Sequence, residues 1–241
     1  MNRSFFGDMR DLFKYDLVRH IMKALPQFAS FTFVPMLSDD AAAAAGTKSS
    51  AKDLEKAVKA GRAGSQNRDL LTHMARLQEI DSDLEYFQTV HAYFKKENIV
   101  AGILHKHPFT DKGRAEYFDD VISGIPEKSL IFLDPDTGLE ERKPSRKHLL
   151  FEEMKRITDA MDAGSALMVY QHFPRESHDG YVRRRCKKIH EVTGAYPLTI
   201  TDNEIIFFVL VKNPKLREQM EDVLSRYANS YPVLESGGCH G

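Results

Sequence analysis

Tryptophan is absent from the 241 residues, and cysteine occurs only at Cys186 and Cys239. Two cysteines are too few for a disulfide framework, and they are not spaced as paired zinc ligands. A reducing cytoplasm is therefore the expected compartment. Long apolar runs are missing as well. The longest, Ile205 to Val211, falls far short of the roughly 20 residues a membrane helix needs. The opening MNRSFFGDMRD carries acids where a signal peptide would be apolar, so a soluble, non-secreted chain is expected. Nor does charge of one sign dominate. Lysine plus arginine number 34 against 35 aspartate plus glutamate, a formal charge of −1. That balance excludes a surface acting wholly as a polycation, and any nucleic-acid surface must be a local patch.

What is present suffices for a folded core: 42% hydrophobic residues, with 15 Phe and 9 Tyr. At roughly 150 residues per domain the length predicts a single domain over 1–241 carrying an insertion. Met9, Leu12, Phe13, Leu17, Val18, Ile21, Met22 and Leu25 recur at steps of three and four, predicting an amphipathic helix from Asp8 to Leu25 ahead of Pro26. FTFVPML (Phe31 to Leu37) has strand composition, and SDDAAAAAGTKSS after it reads as a loop. Gln66 to Lys96 predicts one or two long helices, placing a helical insertion at about 41–97 between the first strand and the next, Ile99 to Leu104.

An alternation follows: helix Lys112 to Ser123, strand SLIFLD, helix His148 to Met161, strand ALMVYQ, helix Tyr181 to Val192. Near-continuous apolar strands separated by helices require a mostly parallel, Rossmann-like α/β sheet covered on both faces. YPLTIT and EIIFFVLVK, joined by the turn TDNE, predict a terminal antiparallel hairpin, and ESGGCHG reads as a frayed tail.

Ligands of open α/β sheets bind beyond the carboxyl ends of the strands. Two polar clusters fall there: Asp134-Pro-Asp-Thr-Gly-Leu-Glu140 after SLIFL and Gln171-His-Phe-Pro-Arg175 after ALMVY. DPDTG is equally the composition of a capped turn, and His172 could be structural. On the first helix Asp11, Lys14 and Tyr15 share a face, which reads either as a substrate-binding surface or as a solvated one, while Asp8 suits a helix cap. YVRRRCKK (Tyr181 to Lys188) is the best nucleic-acid patch, its basic groups expected to project outward. His105 and His107 point the same way from a strand but lack a third ligand, and Cys239 with His240 is weaker still.

With DPDTG placed after an apolar strand and followed by helix, strand, helix and hairpin, residues 112–212 resemble the class I S-adenosylmethionine-dependent methyltransferases. The similarity is mainly to the adenine-N6 branch that includes ribosomal-RNA enzymes, and FFGDMRDLFKYDLVRHI resembles their helical opening, so the likeness also covers residues 5–37. Asp134-Pro135 matches the first half of that branch's Asp/Asn-Pro-Pro-aromatic motif. Asp136 and Thr137 replace the second proline and the aromatic, and SDDAAAAAG replaces the expected glycine-rich loop. The resemblance implies S-adenosylmethionine as cofactor, with Asp39 or Asp40 on its ribose, and Asp134, Asp136 and His172 as catalytic residues. Asp11, Lys14, Tyr15, Gln171 and Arg175 would hold the substrate and Arg183, Arg184 and Arg185 its phosphates, the partner being RNA or DNA. The acid-rich motif also admits a divalent-metal nuclease or phosphodiesterase, with Asp134, Asp136 and Glu140 binding Mg²⁺ or Mn²⁺ and Lys143 or His172 assisting a water. The missing glycines admit a non-catalytic nucleic-acid or protein adaptor on the same fold.

Overall fold

The computed structural model describes residues 5–37, 51–104 and 110–239. Asp8 opens the chain's first helix, α1 (Met9–Ala24), by accepting hydrogen bonds from the amides of Arg10 and Asp11. Strand β1 (Ser30–Met36) follows, and then three helices: α2 (Ala51–Lys59), α3 (Arg68–Leu77) and α4 (Asp83–Lys96). Asn67 and Ser82 cap the last two through their side chains. The described part of the insertion is therefore three helices joined by turns, including α2 in a stretch with no clear sequence signal.

Strand β2 (Ala101–Ile103), α5 (Arg114–Gly124) and β3 (Ser129–Pro135) come next. The short pair β4 (Gly138–Leu139) and β5 (His148–Leu149) precedes α6 (Phe151–Ala160), which starts three residues later than the periodicity predicts because His148 and Leu149 pair with the loop after β3. Then come β6 (Ala166–His172), α7 (His178–Thr193), β7 (Leu198–Thr201), β8 (Ile205–Val211), α8 (Pro214–Ala228) and β9 (Glu235–Gly238). Helix α8, absent from the expected elements, starts with Asn213 as its cap and Pro214 in its first turn.

The seven-stranded sheet has the order β2-β1-β3-β6-β8-β7-β9. Strands β2, β1, β3 and β6 are mutually parallel, and β8 runs against β6 and β7 as the hairpin requires. Residues Glu235 to Gly238, read as frayed, form β9: they pair antiparallel with β7, whose outer edge offers unsatisfied backbone groups that even a glycine-rich segment can fill. Side chains alternate between two cores. Phe31, Phe33, Leu130, Phe132, Met168 and Phe207 face α1, α3, α4 and α8. Val34, Ile131, Leu133, Leu167, Val169 and Phe208 face α5, α6 and α7.

From β1 the chain moves outward to β2, then crosses back to the other side of β1 to enter β3. The switch point of the sheet therefore lies between β1 and β3, where a crevice opens at the carboxyl ends. The register there pairs Pro35 with Asp134 and Met36 with Pro135.

Candidate active site at the switch point

Asp134, next to last in β3, is buried at 1% exposure. Lys14, reaching over from α1, donates to Asp134 Oδ2 at 2.9 Å and to Asp11 Oδ1 at 3.0 Å. Asp11 Oδ2 accepts from the Gly7 amide at 3.0 Å and from the Tyr86 hydroxyl at 2.8 Å. Tyr86 spends its proton on that bond, so at 2.6 Å Tyr15 donates to Tyr86. A directed chain thus runs from the core into the crevice, and Tyr86 brings α4 of the insertion into it. The face of α1 carrying Asp11, Lys14 and Tyr15 is buried, which overturns the solvated reading. The 3–4 residue periodicity could not show this, because three polar side chains on one helix face look the same whether water or partners satisfy them.

The Lys14 ammonium also lies 4.2 Å from the centre of the Tyr170 ring, and the Tyr170 hydroxyl shares a 2.9 Å hydrogen bond with His172 Nε2. Together with Phe5, Asp8, Arg10, Pro135 and Asp136 these groups line a cavity of about 60 Å³. It shares Arg10 and His172 with a wider cleft of about 580 Å³ whose rim includes Arg175 and Glu204. Asp8, Arg10 and Tyr170 therefore belong to the site although the sequence reading left them out. Asp8 is also the helix cap its sequence position suggests, and Tyr170 stands in ALMVYQ as one more apolar residue of a strand.

Burial alone would lower the Lys14 pKa, but Asp134 and then Asp11 outweigh it and hold the ammonium well above the ordinary lysine range. Burial raises the Asp134 carboxyl, with Lys14 offsetting part of the rise. Asp8 is pushed up to about 6, by burial first and the Asp11 charge second. His172 is pushed down to about 3, by burial and then by Arg10 and Lys14, so its ring is neutral at physiological pH. Asp8, raised to about 6, can therefore exchange a proton close to neutral pH.

Apart from Asp136, which lines the cavity, the remaining expected residues lie elsewhere. Gln171 is buried behind the loop: its Oε1 accepts from the Leu139 amide at 2.7 Å and its Nε2 donates to the His172 carbonyl at 2.5 Å, pinning DPDTG to β6. Gly138, at φ 118°, leaves the room that this amide occupies. Asp136 is 3.5 Å from Lys147, Glu140 accepts from the Phe151 amide that starts α6, and Lys143 is exposed. Among the described residues no group of three or more His, Cys, Asp or Glu is arranged to hold a metal ion. The outward projection expected of YVRRRCKK fails at Arg185, whose guanidinium packs on the Tyr181 ring and binds the Glu140 carbonyl and the Glu141 carboxylate; two aromatic rings and two acceptors outweigh solvation there. Arg184 pairs with Glu176, and Arg183 is exposed. The two cysteines, too few for a framework, form the single disulfide Cys186–Cys239 because β9 delivers the second to α7. Asp39, Asp40, His105, His107 and His240 lie outside the described residues.

Fold and crevice together define a Rossmann-like α/β protein with a polar cluster at its switch point. No helix among the described residues is long and apolar enough to cross a membrane. Comparison with protein-family models gives no match, and comparison with curated proteins gives none.

Proposed function

We propose that this chain is a methyltransferase-like enzyme of the cytoplasm that uses S-adenosylmethionine and acts on nucleic acid, with the switch-point crevice as its reaction site. The carrying observation is that β3 and β6 deliver Asp134, Asp136 and His172 to the place where α1 delivers Asp8, Asp11 and Lys14. The lining holds four carboxylates (Asp8, Asp11, Asp134, Asp136) against two cations (Arg10, Lys14), beside the rings of Phe5 and Tyr170. Such a setting favours a cation, and a methylsulfonium fits that donor set. When bound, the cofactor supplies an electrophilic methyl on a positively charged sulfur.

The chain's own residues then have modest chemistry to do, since methyl transfer depends mostly on alignment and on desolvating the nucleophile. Asp134, fixed by Lys14, orients an acceptor amine. His172, neutral and braced by Tyr170, gives the acceptor a hydrogen-bond partner that stays uncharged. Asp8 Oδ2 takes the proton that the amine sheds after methylation. Arg175 at the cleft rim and exposed Arg183 on α7 hold phosphates, the sequence-independent part of nucleic-acid binding.

One observation favours a second reading, a non-catalytic adaptor: Lys14 already holds Asp134 in a cavity of only about 60 Å³. A thermal-shift series with S-adenosylhomocysteine, with Mg²⁺ or Mn²⁺, and with neither separates the readings. A ligand at 100 times its dissociation constant adds about 2.7 kcal/mol, roughly 5–10 °C for this length. The methyltransferase reading expects that rise with the nucleoside. A rise with metal alone transfers the chemistry to metal-assisted phosphodiester cleavage, and no rise with either leaves the adaptor.

A further inference from the structure

Cys186 sits in α7 and is buried at 4% exposure, whereas Cys239 follows β9 and is half-buried. They are bonded across 53 positions of sequence, with Cα atoms 6.0 Å apart. Strand β9 needs such a tie. Its residues are Glu235, Ser236, Gly237 and Gly238, so it brings almost no apolar surface to the sheet. Its other holds are the β7 ladder, a 3.2 Å bond from Thr199 Oγ1 to the Gly237 carbonyl, a 3.1 Å bond from the Cys239 amide to the Pro197 carbonyl, and its place beside α8 after the buried Leu234. Between α7 and β9 lies a groove of about 450 Å³, walled by Val182 and Arg183 on one side and Ser236 and Gly237 on the other. The cross-link joins those two walls.

We propose that Cys186 and Cys239 are a redox latch: oxidised, they fasten β9 to α7 and close off the sheet edge; reduced, β9 detaches and the groove beside Arg183 opens. In closing, the two thiols give two electrons and two protons to glutathione disulfide, which leaves as two glutathione molecules while the protein S–S bond forms. In opening, a dithiol thiolate attacks the more accessible Cys239 sulfur and expels the Cys186 thiolate, which takes a proton; the reagent's second thiol then displaces Cys239, and the reagent leaves as its own disulfide. Release leaves the outer N–H and C=O groups of β7 unpaired, so the reduced protein presents a free strand edge. A reducing cytoplasm would hold the latch open and an oxidising shift would close it.

The test uses the full chain. After glutathione disulfide treatment, alkylation in denaturant followed by mass spectrometry should find no free thiol, and after dithiothreitol two. Hydrogen exchange of the β7 and β9 amides should quicken about tenfold or more on reduction and equally in Cys239→Ser, while the β3 and β6 amides keep their protection. Two free thiols after oxidation would overturn the latch. So would unchanged β9 exchange on reduction, or exchange that quickens throughout the sheet, since the device must be local.

Discussion

On the side of the sheet covered by α5, α6 and α7, Ile131, Leu133, Leu167 and Val169 meet Val121, Met154, Ile157 and Ile189 in an apolar layer, and the buried carboxylate of Glu153 stays at its edge, paired with Arg114 and capping α6. On the opposite side α1 buries Asp11, Lys14 and Asp16 within reach of Phe13, Phe33 and Phe207. Asp16 there accepts from the Tyr227 and Tyr231 hydroxyls at 2.8 and 3.1 Å, tying α1 to α8. Burying charges costs several kcal/mol per ion unless geometry and hydrogen bonds offset it. A dry layer shows that this sheet can be covered without them. The difference teaches that the polar side is shaped around the crevice at β1 and β3, and that its stability rests on completed pairs where the dry side rests on filled volume.

That contrast breaks most sharply at Lys14. Lys14→Met removes the buried ammonium that Asp134 and Asp11 share, and should lower the urea-unfolding free energy by about 3–5 kcal/mol. Adding Asp134→Asn should recover part of the loss, because the two residues act as one unit. On the dry side Met154→Ala obeys cavity rules and should cost about 2–5 kcal/mol, with no recovery from any charge change, and it should leave S-adenosylhomocysteine binding unaltered. Tyr86→Phe removes the hydroxyl that donates to Asp11 and accepts from Tyr15. A loss of about 1.5–3 kcal/mol is expected for a bond to a charged group, together with weaker binding at the crevice if the insertion braces it.

The smallest effects are in pH dependence. His172, at about 3 when folded against about 6.5 unfolded, contributes stability that is complete above 6.5 and is lost as pH falls toward 3. Asp8 has the opposite sign: raised to about 6, it costs stability above that pH and the cost is relieved as pH falls toward its unfolded value. Asp8→Asn keeps the helix cap but loses that relief, so its urea midpoint should fall more steeply than wild type between about pH 6 and 4. His172→Gln should fall less steeply over the same range.

The sheet was legible because its strands are apolar runs with few interpretations, and the ends of SLIFL and ALMVY marked the crevice without any motif. The cluster's partners were less so. Lys14 meets Asp134 across 120 positions, and no local spacing encodes that pairing. Gln171 and Arg185 stood at plausible places in the chain, yet their directions depend on Leu139 and Tyr181, which only the fold brings near. Strand β9 was invisible because glycine and serine carry no strand signal, and what places it, the open edge of β7 and the cross-link to α7, is set only by the fold.

The most direct test of the crevice as the cofactor's site is NMR of the His172 ring, assigned by its loss in His172→Gln, during titration with S-adenosylhomocysteine. The account expects a concentration-dependent shift that saturates while the ring stays neutral. A His172 resonance that does not move at any concentration, even as the nucleoside raises the melting temperature, would contradict it.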